Sequence, residues 1–282
     1  MSLELCVLAS GSSGNCSVVR TPTGVMLLDA GIGPRLVSRR LTGTGVQVSD
    51  VSAICLTHLD SDHFAPVWVN HIIRLGIAVH CHVRCVDTLM EIAENRLLAS
   101  FIRPFDNSRF TPLPEITATP IALAHDEEGC HAFVLEGFGQ RLGYATDLGH
   151  VPDPLVEHFI DLDVLALESN YDPLMQERSP RPIFLKRRIT GGRGHLSNQQ
   201  ALDAIRRMLD RAERRAMPLP AHIVLLHRSR QCNCPKLVRE LFSKDHRIAP
   251  RLVLAEAFSR SEWLSAANRP IAAGEQLALS WG

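Results

Sequence analysis

The sequence predicts a layered α/β domain that extends over residues 1–282. Its 45% hydrophobic and 21% charged residues are typical of a soluble globular protein with a sizeable core. Short apolar runs alternate with helix-like segments along the chain. Residues 131–147 form a hairpin-like stretch within this alternation. That stretch favours mixed sheets over a purely parallel, doubly wound sheet.

Ten strands are predicted where short apolar or β-branched runs occur. They cover residues 3–8, 17–19, 25–29, 53–57, 116–124, 131–136, 141–146, 164–168, 223–227 and 252–256. Six helices are predicted between them, over residues 34–41, 66–75, 86–94, 154–160, 201–215 and 235–242. Helix 201–215 has the most regular pattern, because its apolar residues recur every three or four positions. Ser197, followed by Gln200 three residues later, predicts a capping box at its start.

Charge and cysteine content limit the classes of partner and compartment. The formal net charge is +0, so no global field attracts a polyanion, and any such attraction must come from a local patch. The first residues lack a basic leader, and no apolar stretch approaches the roughly 18 residues of a membrane helix. We therefore expect a cytoplasmic protein, without a membrane partner, whose eight cysteines are reduced. They are expected to be core or surface residues, the alternative being that one contacts metal or substrate.

The most informative motif is the run of residues 57–63, which follows an apolar segment directly. It contains four potential metal ligands: His58, Asp60, Asp62 and His63. Hydrolytic metal centres use imidazole and carboxylate ligands together. In an extended segment His58 and Asp60 share a face, while Asp62 and His63 fall on the following turn. One pair can then serve one ion and the other pair a second ion; the alternative is a polar loop that contains two histidines by chance.

Further single ligands follow other apolar runs. His125, Asp147 and His227 each stand at the end of a predicted strand. A lone histidine in such a position is ordinarily structural, but three such residues in addition to the first cluster change the interpretation. Strands that end at one edge of a sheet bring their terminal side chains together. The pattern therefore predicts a hydrolase with two metal ions.

The order of these ligands resembles that of the metallo-β-lactamase fold hydrolases. Several short motifs resemble the WalJ/YycJ group more narrowly: residues 8–15, 28–31, 124–126, 145–147, 167–170, 185–189, 194–198 and 227–233. The resemblance covers about residues 3–256. It implies an αββα sandwich with two mixed sheets between helices, and a cytoplasmic phosphodiesterase with exonuclease activity on DNA. Because only 26 residues separate Glu168 from His195, no β-CASP insertion is expected.

The resemblance also implies roles for individual residues. One ion, Zn²⁺ or Mn²⁺, would be held by His58, Asp60 and His125, and a second by Asp62, His63 and His227, with Asp147 between them. The two ions would activate a hydroxide for attack on the phosphodiester. Asp62 and His195 are the implied catalytic residues. His195 would bind a phosphate oxygen or protonate the leaving group.

Two positions depart from the family pattern. Relatives mostly have His where this chain has Asp60; a carboxylate there favours a harder ion such as Mn²⁺ over Zn²⁺, and the alternative is a weaker or empty first site. Tyr171 stands where relatives often have His. A tyrosine at that position either stacks on a base or packs in the core.

Candidate substrate contacts come from a basic run and from three polar segments. The run between Glu177 and Arg193 contains five arginines and Lys186 against one acid. It leads into His195 and either grips several phosphates or forms a solvated helix face. The loop 11–15 is either a phosphate cradle, since glycine lets backbone approach an anion, or a tight hairpin turn. The substrate-binding candidates are Ser13, Asn15, Lys186, Arg187, Arg188, Asn198 and Asn233.

Three functions remain open from the sequence. The first is a nuclease or phosphodiesterase acting on nucleic acid, with DNA favoured over RNA and single-stranded or nicked DNA as the substrate. The second is a hydrolase of a small cyclic phosphodiester or lactone-type ester on the same fold. The third is a non-catalytic nucleic-acid-binding protein with a degenerate site. Aromatic residues after Glu256, including Phe258, Trp263 and Trp281, suggest a segment that packs back on the domain or joins a partner subunit in an oligomer.

Overall fold

The structure is a computed structural model that describes residues 2–125 and 129–265. In that part of the chain fourteen strands build two sheets. The strands are β1 (Glu4–Ala9), β2 (Cys16–Thr21), β3 (Gly24–Leu28), β4 (Val51–Cys55), β5 (Ala78–His82), β6 (Ile102–Phe105), β7 (Phe110–Leu113), β8 (Ile116–Leu123), β9 (Cys130–Gly137), β10 (Gln140–Ala145), β11 (Val164–Glu168), β12 (His222–Leu226), β13 (Leu252–Leu254) and β14 (Leu264–Ser265).

Eight α-helices lie between these strands in the described residues. They are α1 (Pro34–Leu41), α2 (Val69–Leu75), α3 (Val86–Ala93), α4 (Asp153–His158), α5 (Pro173–Arg178), α6 (Ile183–Thr190), α7 (Asn198–Arg214) and α8 (Pro235–Phe242). The predicted capping box at the start of α7 is confirmed, because the side chains of Ser197 and Gln200 each accept a hydrogen bond from the other's backbone N–H.

The two sheets have the same internal arrangement. The first has the order β14-β1-β2-β3-β4-β5-β6 and the second β13-β12-β11-β10-β9-β8-β7. In the first sheet the pairs from β14 to β3 are antiparallel and those from β3 to β6 parallel. In the second, the pairs from β7 to β10 are antiparallel and those from β10 to β13 parallel. The prediction of mixed sheets is therefore confirmed.

Three apolar layers hold the sheets and helices together. The alternation of side chains along β3 shows the arrangement, because Met26 packs between the two sheets while Leu27 packs against α1 to α3. On the other side, Val134 of β9 packs in the layer that contains Leu202 of α7 and Phe242 of α8. The layers are thus helix, sheet, sheet and helix, which is the predicted αββα sandwich.

The ten predicted strands and six predicted helices are all present, with bounds shifted by at most three residues. Four strands (β5, β6, β7 and β14) and two helices (α5 and α6) were not predicted. The end of the described chain returns to the first sheet, because β14 pairs with β1 and the Trp263 ring lies 4.1 Å from the Arg20 guanidinium carbon. The predicted packing of this stretch against the domain is confirmed through Ser265, and Trp281 lies outside the described residues. Within the described chain, no helix combines the length and hydrophobicity needed to cross a membrane.

Candidate metal centre

The predicted ligands meet at one edge of the sandwich. Strands β4, β8, β10 and β12 end there, and the residues that follow them supply the cluster. The loop after β4 contributes His58, Asp60, Asp62 and His63. His125 follows β8, Asp147 follows β10 and His227 follows β12. The structure therefore brings together all seven predicted ligands, from strand ends in both sheets.

The donor atoms fall into four overlapping groups in the described residues, and two of the groups of three share no residue. Within each group every pair of ligand atoms lies within 4.8 Å. The first group is His58, Asp60 and His125, and the second is Asp62, His63 and His227. These are the two sets that the resemblance implies, and each combines imidazole with carboxylate. A third group joins His58, His63 and Asp147, and the fourth contains Asp147, Glu168, His195 and His227. None of the candidate metal groups found in residues 2–125 and 129–265 includes a cysteine, and none of the eight cysteines, which all lie in these residues, forms a disulfide.

Asp147 lies where it contacts residues from both sheets. One carboxylate oxygen is 2.6 Å from His63 Nε2, and the other is 2.9 Å from His227 Nδ1 and 3.1 Å from His195 Nδ1. The carboxylate is 3% exposed. Asp147 therefore joins the loop after β4 to the histidines that follow β11 and β12.

Ionisation in the cluster is governed by burial and by the concentration of carboxylates. Burial alone would lower the pKa of His63, but Asp29 and Asp147 raise it to about 10. Burial disfavours a charged Asp147, yet His227 and His63 hold its pKa well below the usual range. Burial, followed by the neighbouring charge of His63, holds the pKa of His58 well below its ordinary value. The donor set thus combines buried carboxylate charge with at least one neutral imidazole.

A buried hydrogen-bond network fixes the loop after β4. Asp29, fully buried after β3, accepts hydrogen bonds from Thr57 N and Thr57 Oγ1, both 2.9 Å away, and contacts His63 Nδ1 at 2.8 Å. The Thr57 hydroxyl also contacts His58 Nδ1 at 2.9 Å. These contacts occupy Nδ1 of both rings, so that Nε2 is the nitrogen of each ring that is left for a metal ion. His58 Nε2 is buried and has no hydrogen-bond partner among the described residues.

Glu168 is a functional candidate that the sequence did not identify. It is fully buried, and Oε1 lies 2.7 Å from His195 Nδ1 and 3.1 Å from His227 Nδ1, while Oε2 accepts a hydrogen bond from Leu148 N at 3.0 Å. Asp29 was missed in the same way. Asp29 follows β3 directly and Glu168 is the last residue of β11. Both thus come after an apolar run, which is the signal that led to His227.

The backbone at the site is held in unusual conformations. Asp29, Asp147 and His227 have φ values of 60°, 52° and 50°, in the left-handed region that non-glycine residues rarely adopt. Close packing accompanies this strain, because a Cβ on Gly31 would lie 1.8 Å from the Asp62 carbonyl oxygen. Only glycine lets these two backbone segments approach so closely.

A cavity of about 590 Å³ opens beside the cluster. The residues that line it include metal-ligand candidates and His195, together with Arg181, Arg187, Arg188 and Arg193. The alternative of a helix face for the basic run is partly confirmed, since Arg187 and Arg188 lie exposed on α6. Both arginines nonetheless line the cavity.

The other candidate substrate residues are not among those that line this cavity. Ser13 is exposed, and it is the neighbouring Ser12 that lines the cavity. Asn15 is buried with Nδ2 2.8 Å from His63 Nε2. Lys186 donates to the Glu177 carbonyl oxygen.

Three further polar or aromatic side chains serve the interior. Asn198 and Asn233 are buried and hydrogen bond to each other, and neither is among the residues that line the cavity. Tyr171 is 5% exposed and packs with Ile189 and Cys232. For Tyr171 the structure therefore selects packing over base stacking.

Known proteins share both the sequence pattern and this fold. The exodeoxyribonuclease YycJ of Bacillus anthracis is 26% identical over 240 residues, which cover 85% of this chain and 87% of that protein. The exodeoxyribonuclease WalJ of Streptococcus pneumoniae is 25% identical over 233 residues, 82% of this chain and 83% of that protein. The crystal structure of the metallo-beta-lactamase fold protein YhfI from Bacillus subtilis superposes with a TM-score of 0.67 at 13% identity, covering 93% of this chain and 99% of that one.

The family itself is shown by a direct match. Residues 25–223, well over half of the chain, match the beta-lactamase superfamily domain. The matched segment contains most of the His/Asp cluster, which is able to bind metal. The chain therefore belongs to the metallo-β-lactamase superfamily and is a hydrolase of that fold.

Proposed function

We propose that this hydrolase is a metal-dependent exonuclease that degrades DNA, with single-stranded or nicked DNA as its substrate. The observation that carries the proposal is the cavity that four arginines line together with residues of the His/Asp cluster. A polyanion fits this arrangement, because cationic side chains bind its phosphates while the cluster faces the reacting one. Two curated relatives named exodeoxyribonuclease support DNA as the substrate. The proposal places the reaction in the cytoplasm, where free thiols stay reduced.

The residues present fit two divalent cations. The fit rests on His58 Nε2, which is buried without a hydrogen-bond partner among the described residues, and on two groups of imidazole and carboxylate donors that share no residue. His58, Asp60 and His125 would hold one ion, and Asp62, His63 and His227 the second, with Asp147 shared. The oxygen ligand Asp60 favours Mn²⁺ over Zn²⁺ in the first site. When bound, the ions supply Lewis acidity that activates water and neutralises charge on the phosphate.

His195 is proposed to act on the substrate through Nε2. Its Nδ1 contacts Glu168 at 2.7 Å and Asp147 at 3.1 Å, which leaves Nε2 as the free ring nitrogen. The side chain is 21% exposed and lines the cavity. The carboxylates of Glu168 and Asp147 orient the ring and favour its doubly protonated form, so that Nε2–H can donate a proton to a phosphate oxygen or to the leaving oxygen. Asp62 lines the same cavity as His195, and its carboxylate would orient the attacking water.

The experiment that tests the proposal is degradation of 5′-phosphorylated single-stranded DNA by the purified protein in added Mn²⁺. We expect nucleotides to be lost from one end, and a loss of at least about a hundredfold in rate for His195→Ala. His246→Ala is the matched control, because His246 is exposed and lies outside the cluster. Two equivalents of bound metal are expected in all three proteins.

The alternatives give different results when RNA and a circular DNA strand are added to this experiment as further substrates. A protein that binds two metals but leaves DNA and RNA intact would contradict the nuclease proposal and favour a small phosphodiester or ester substrate. A protein without bound metal that still binds DNA would support the non-catalytic reading. Internal cleavage of a circular strand would retain the nuclease and overturn the exonuclease.

A further inference from the structure

Arg181 differs from the other arginines of the cavity in how it is held. Its guanidinium donates to three side-chain oxygens: Gln231 Oε1 at 3.2 Å, Gln176 Oε1 at 3.2 Å and Ser229 Oγ at 3.3 Å. Arg187, Arg188 and Arg193 are exposed. Arg181 is therefore the cavity arginine that is held in one orientation before any substrate arrives.

The partners of Arg181 are all neutral. Within residues 2–125 and 129–265 no carboxylate forms an ion pair with it, so its positive charge stays uncompensated at the cavity wall. An arginine placed for stability alone is ordinarily paired with an acid when it is partly buried. The neutral partners thus orient the guanidinium and leave its charge available to an anion.

Gln176 shows that this orientation has a cost. The residue is 2% exposed, and its amide nitrogen is buried without a hydrogen-bond partner among the described residues. A buried unsatisfied donor is destabilising. The amide oxygen is nevertheless directed at Arg181, which indicates that fixing the guanidinium is the role of this side chain.

The remaining donors of Arg181 match a phosphate group. A guanidinium has five N–H donors, and the three contacts use one each on Nε, Nη1 and Nη2. One N–H therefore remains on each Nη nitrogen, which is the arrangement that binds two oxygens of one phosphate. Ser229 and Gln231 also line the cavity, so the anion would lie against the loop after β12.

The side chains that hold the Arg181 guanidinium do not belong to the His/Asp cluster. The scissile group must lie against the His/Asp cluster and His195, whereas Arg181 is anchored by α5 and by residues 229–231. At about 590 Å³ the cavity equals the volume of roughly 20 water molecules, so it holds more than one phosphate. We propose that Arg181 forms a second phosphate subsite, which binds a phosphate next to the scissile one in the same strand.

The inference rests on the proposed function, but its test uses binding rather than DNA degradation. The probes are thymidine 5′-monophosphate and thymidine 3′,5′-bisphosphate, titrated into the metal-loaded protein by calorimetry. The bisphosphate is expected to bind about tenfold to a hundredfold more tightly, as one charge-assisted bidentate contact would give. Arg181→Gln should remove most of that difference, and Arg181→Lys, which keeps the charge and loses the fork, should retain only part of it.

Arg178→Gln is the matched control, because Arg178 is exposed on α5 and does not line the cavity. It should keep the full difference between the two probes. Equal binding of both probes by the unchanged protein would overturn the subsite, and so would an Arg181→Gln variant that keeps the difference. If Arg181→Gln does not fold, Arg181→Lys decides the question by the same comparison.

Oligonucleotides distinguish the two sources of the second phosphate. If it is the terminal phosphate, a 5′-phosphorylated strand binds more tightly than a 5′-hydroxyl strand, and Arg181→Gln removes that preference. If it is an internal phosphate, Arg181→Gln weakens both strands equally. A protein that discriminates the bisphosphate but degrades no DNA would contradict the proposed function and leave the subsite standing. A protein that degrades DNA without that discrimination would contradict the subsite alone.

Discussion

The two sheets have the same sequence of antiparallel and parallel pairs, yet they supply the candidate site in different ways. In the first sheet, four ligand candidates lie in one loop, residues 58–63, which follows β4. In the second sheet, single ligand candidates follow several strands, as Asp147 follows β10 and His227 follows β12. One sheet provides a local cluster, and the other provides single residues that only the fold brings together.

This difference has a structural consequence. In the first sheet the loop is fixed by the buried acid Asp29, which contacts Thr57 and His63. Backbone contacts also hold it, such as Asn15 N to Asp62 O at 2.7 Å and Ala30 N to His63 O at 2.7 Å. In the second sheet the single histidines are fixed by a buried acid, Glu168, that contacts His195 and His227. Each sheet therefore has a buried acid that orients histidines, and the contiguous loop of the first sheet is held by backbone contacts as well.

The largest expected effect comes from the residue that connects the two sheets. Asp147→Asn keeps the shape of the side chain but removes the charge that faces His63, His195 and His227. We expect nuclease activity to fall by more than about a hundredfold, the upper range for an orienting partner of a ligand. Bound metal, measured by elemental analysis, should fall in both sites.

Asp203→Asn is the control for Asp147→Asn, because Asp203 is an exposed acid on α7. It should leave activity and metal content unchanged. If Asp147→Asn lost metal from one site only, Asp147 would serve that site alone. The two sheets would then supply separate sites.

Glu168 tests whether the second sheet depends on its buried acid. Glu168→Gln keeps a hydrogen-bond acceptor but removes the charge beside the two histidines. The expected loss of activity is about tenfold to a hundredfold. Turnover and metal content measured together locate the effect: unchanged metal with lower turnover indicates His195, and lower metal indicates His227.

Glu136→Gln is the matched control for Glu168→Gln, since Glu136 pairs with Arg141 in the same sheet and does not line the cavity. If Glu168→Gln behaved like Glu136→Gln, the buried acid would have no orienting role. The two sheets would then not share this way of orienting histidines.

The sequence predicted the local cluster better than its surroundings. Residues 58–63 stand together in the chain, so their chemistry can be recognised without knowledge of the fold. The contacts of Asp29 with Thr57 and of Glu168 with His195 span 28 and 27 residues, and no local pattern predicts which distant side chain an acid will meet. The apolar runs before His125, Asp147 and His227 indicated these three residues, and the structure brings them together in the cluster. Neither that pattern nor the resemblance carried information on Arg181.

Secondary structure shows the same limit. Helices α1 and α8 have the predicted bounds, and both begin with a proline that suits the first helical turn. Strand β5 was missed because His80 and His82 interrupt its apolar pattern, although both are buried in the structure. Strand β6 was missed because it contains Arg103 and Pro104, residues that an edge strand tolerates.

Buried histidines make the aromatic cluster that contains His80 and His131 sensitive to acid. Burial, followed by the charge of Arg103, lowers the pKa of His80 to about 4. Burial, followed by the charge of His82, lowers that of His131 in the same cluster to about 4. Because the unfolded value is about 6.5, unfolding takes up protons below that pH. Stability is therefore complete above pH 6.5 and is lost progressively between pH 6.5 and 4, by at most about 3 kcal/mol for each histidine.

Denaturant unfolding of the metal-free protein at pH 7, 6, 5 and 4.5 measures this loss. His131→Phe retains an aromatic ring without a titrating group, so its free energy of unfolding should fall less steeply with pH than that of the unchanged protein. The exposed His246→Phe should show the original slope. Parallel pH profiles for all three proteins would show that these histidines do not couple stability to pH.

The ion pairs of Asp245 should respond to acid at a lower pH than the buried histidines and with a smaller effect. Asp245, 7% exposed, contacts Arg247 at 2.9 Å and Arg206 at 3.2 Å, and hydrogen bonds from Arg247 hold its pKa below the usual range. The folded carboxyl group releases its proton more readily than the unfolded one. This contribution is present above about pH 4 and is lost as the pH falls further. Asp245→Asn should cost about 1–2 kcal/mol at pH 7, whereas Asp210→Asn, which removes a half-exposed acid that also pairs with Arg247, should cost less. If Asp245→Asn lost as much stability at pH 3 as at pH 7, the titration of Asp245 would not contribute to stability. Acid sensitivity would then not distinguish the ion pairs of Asp245 from the buried histidines.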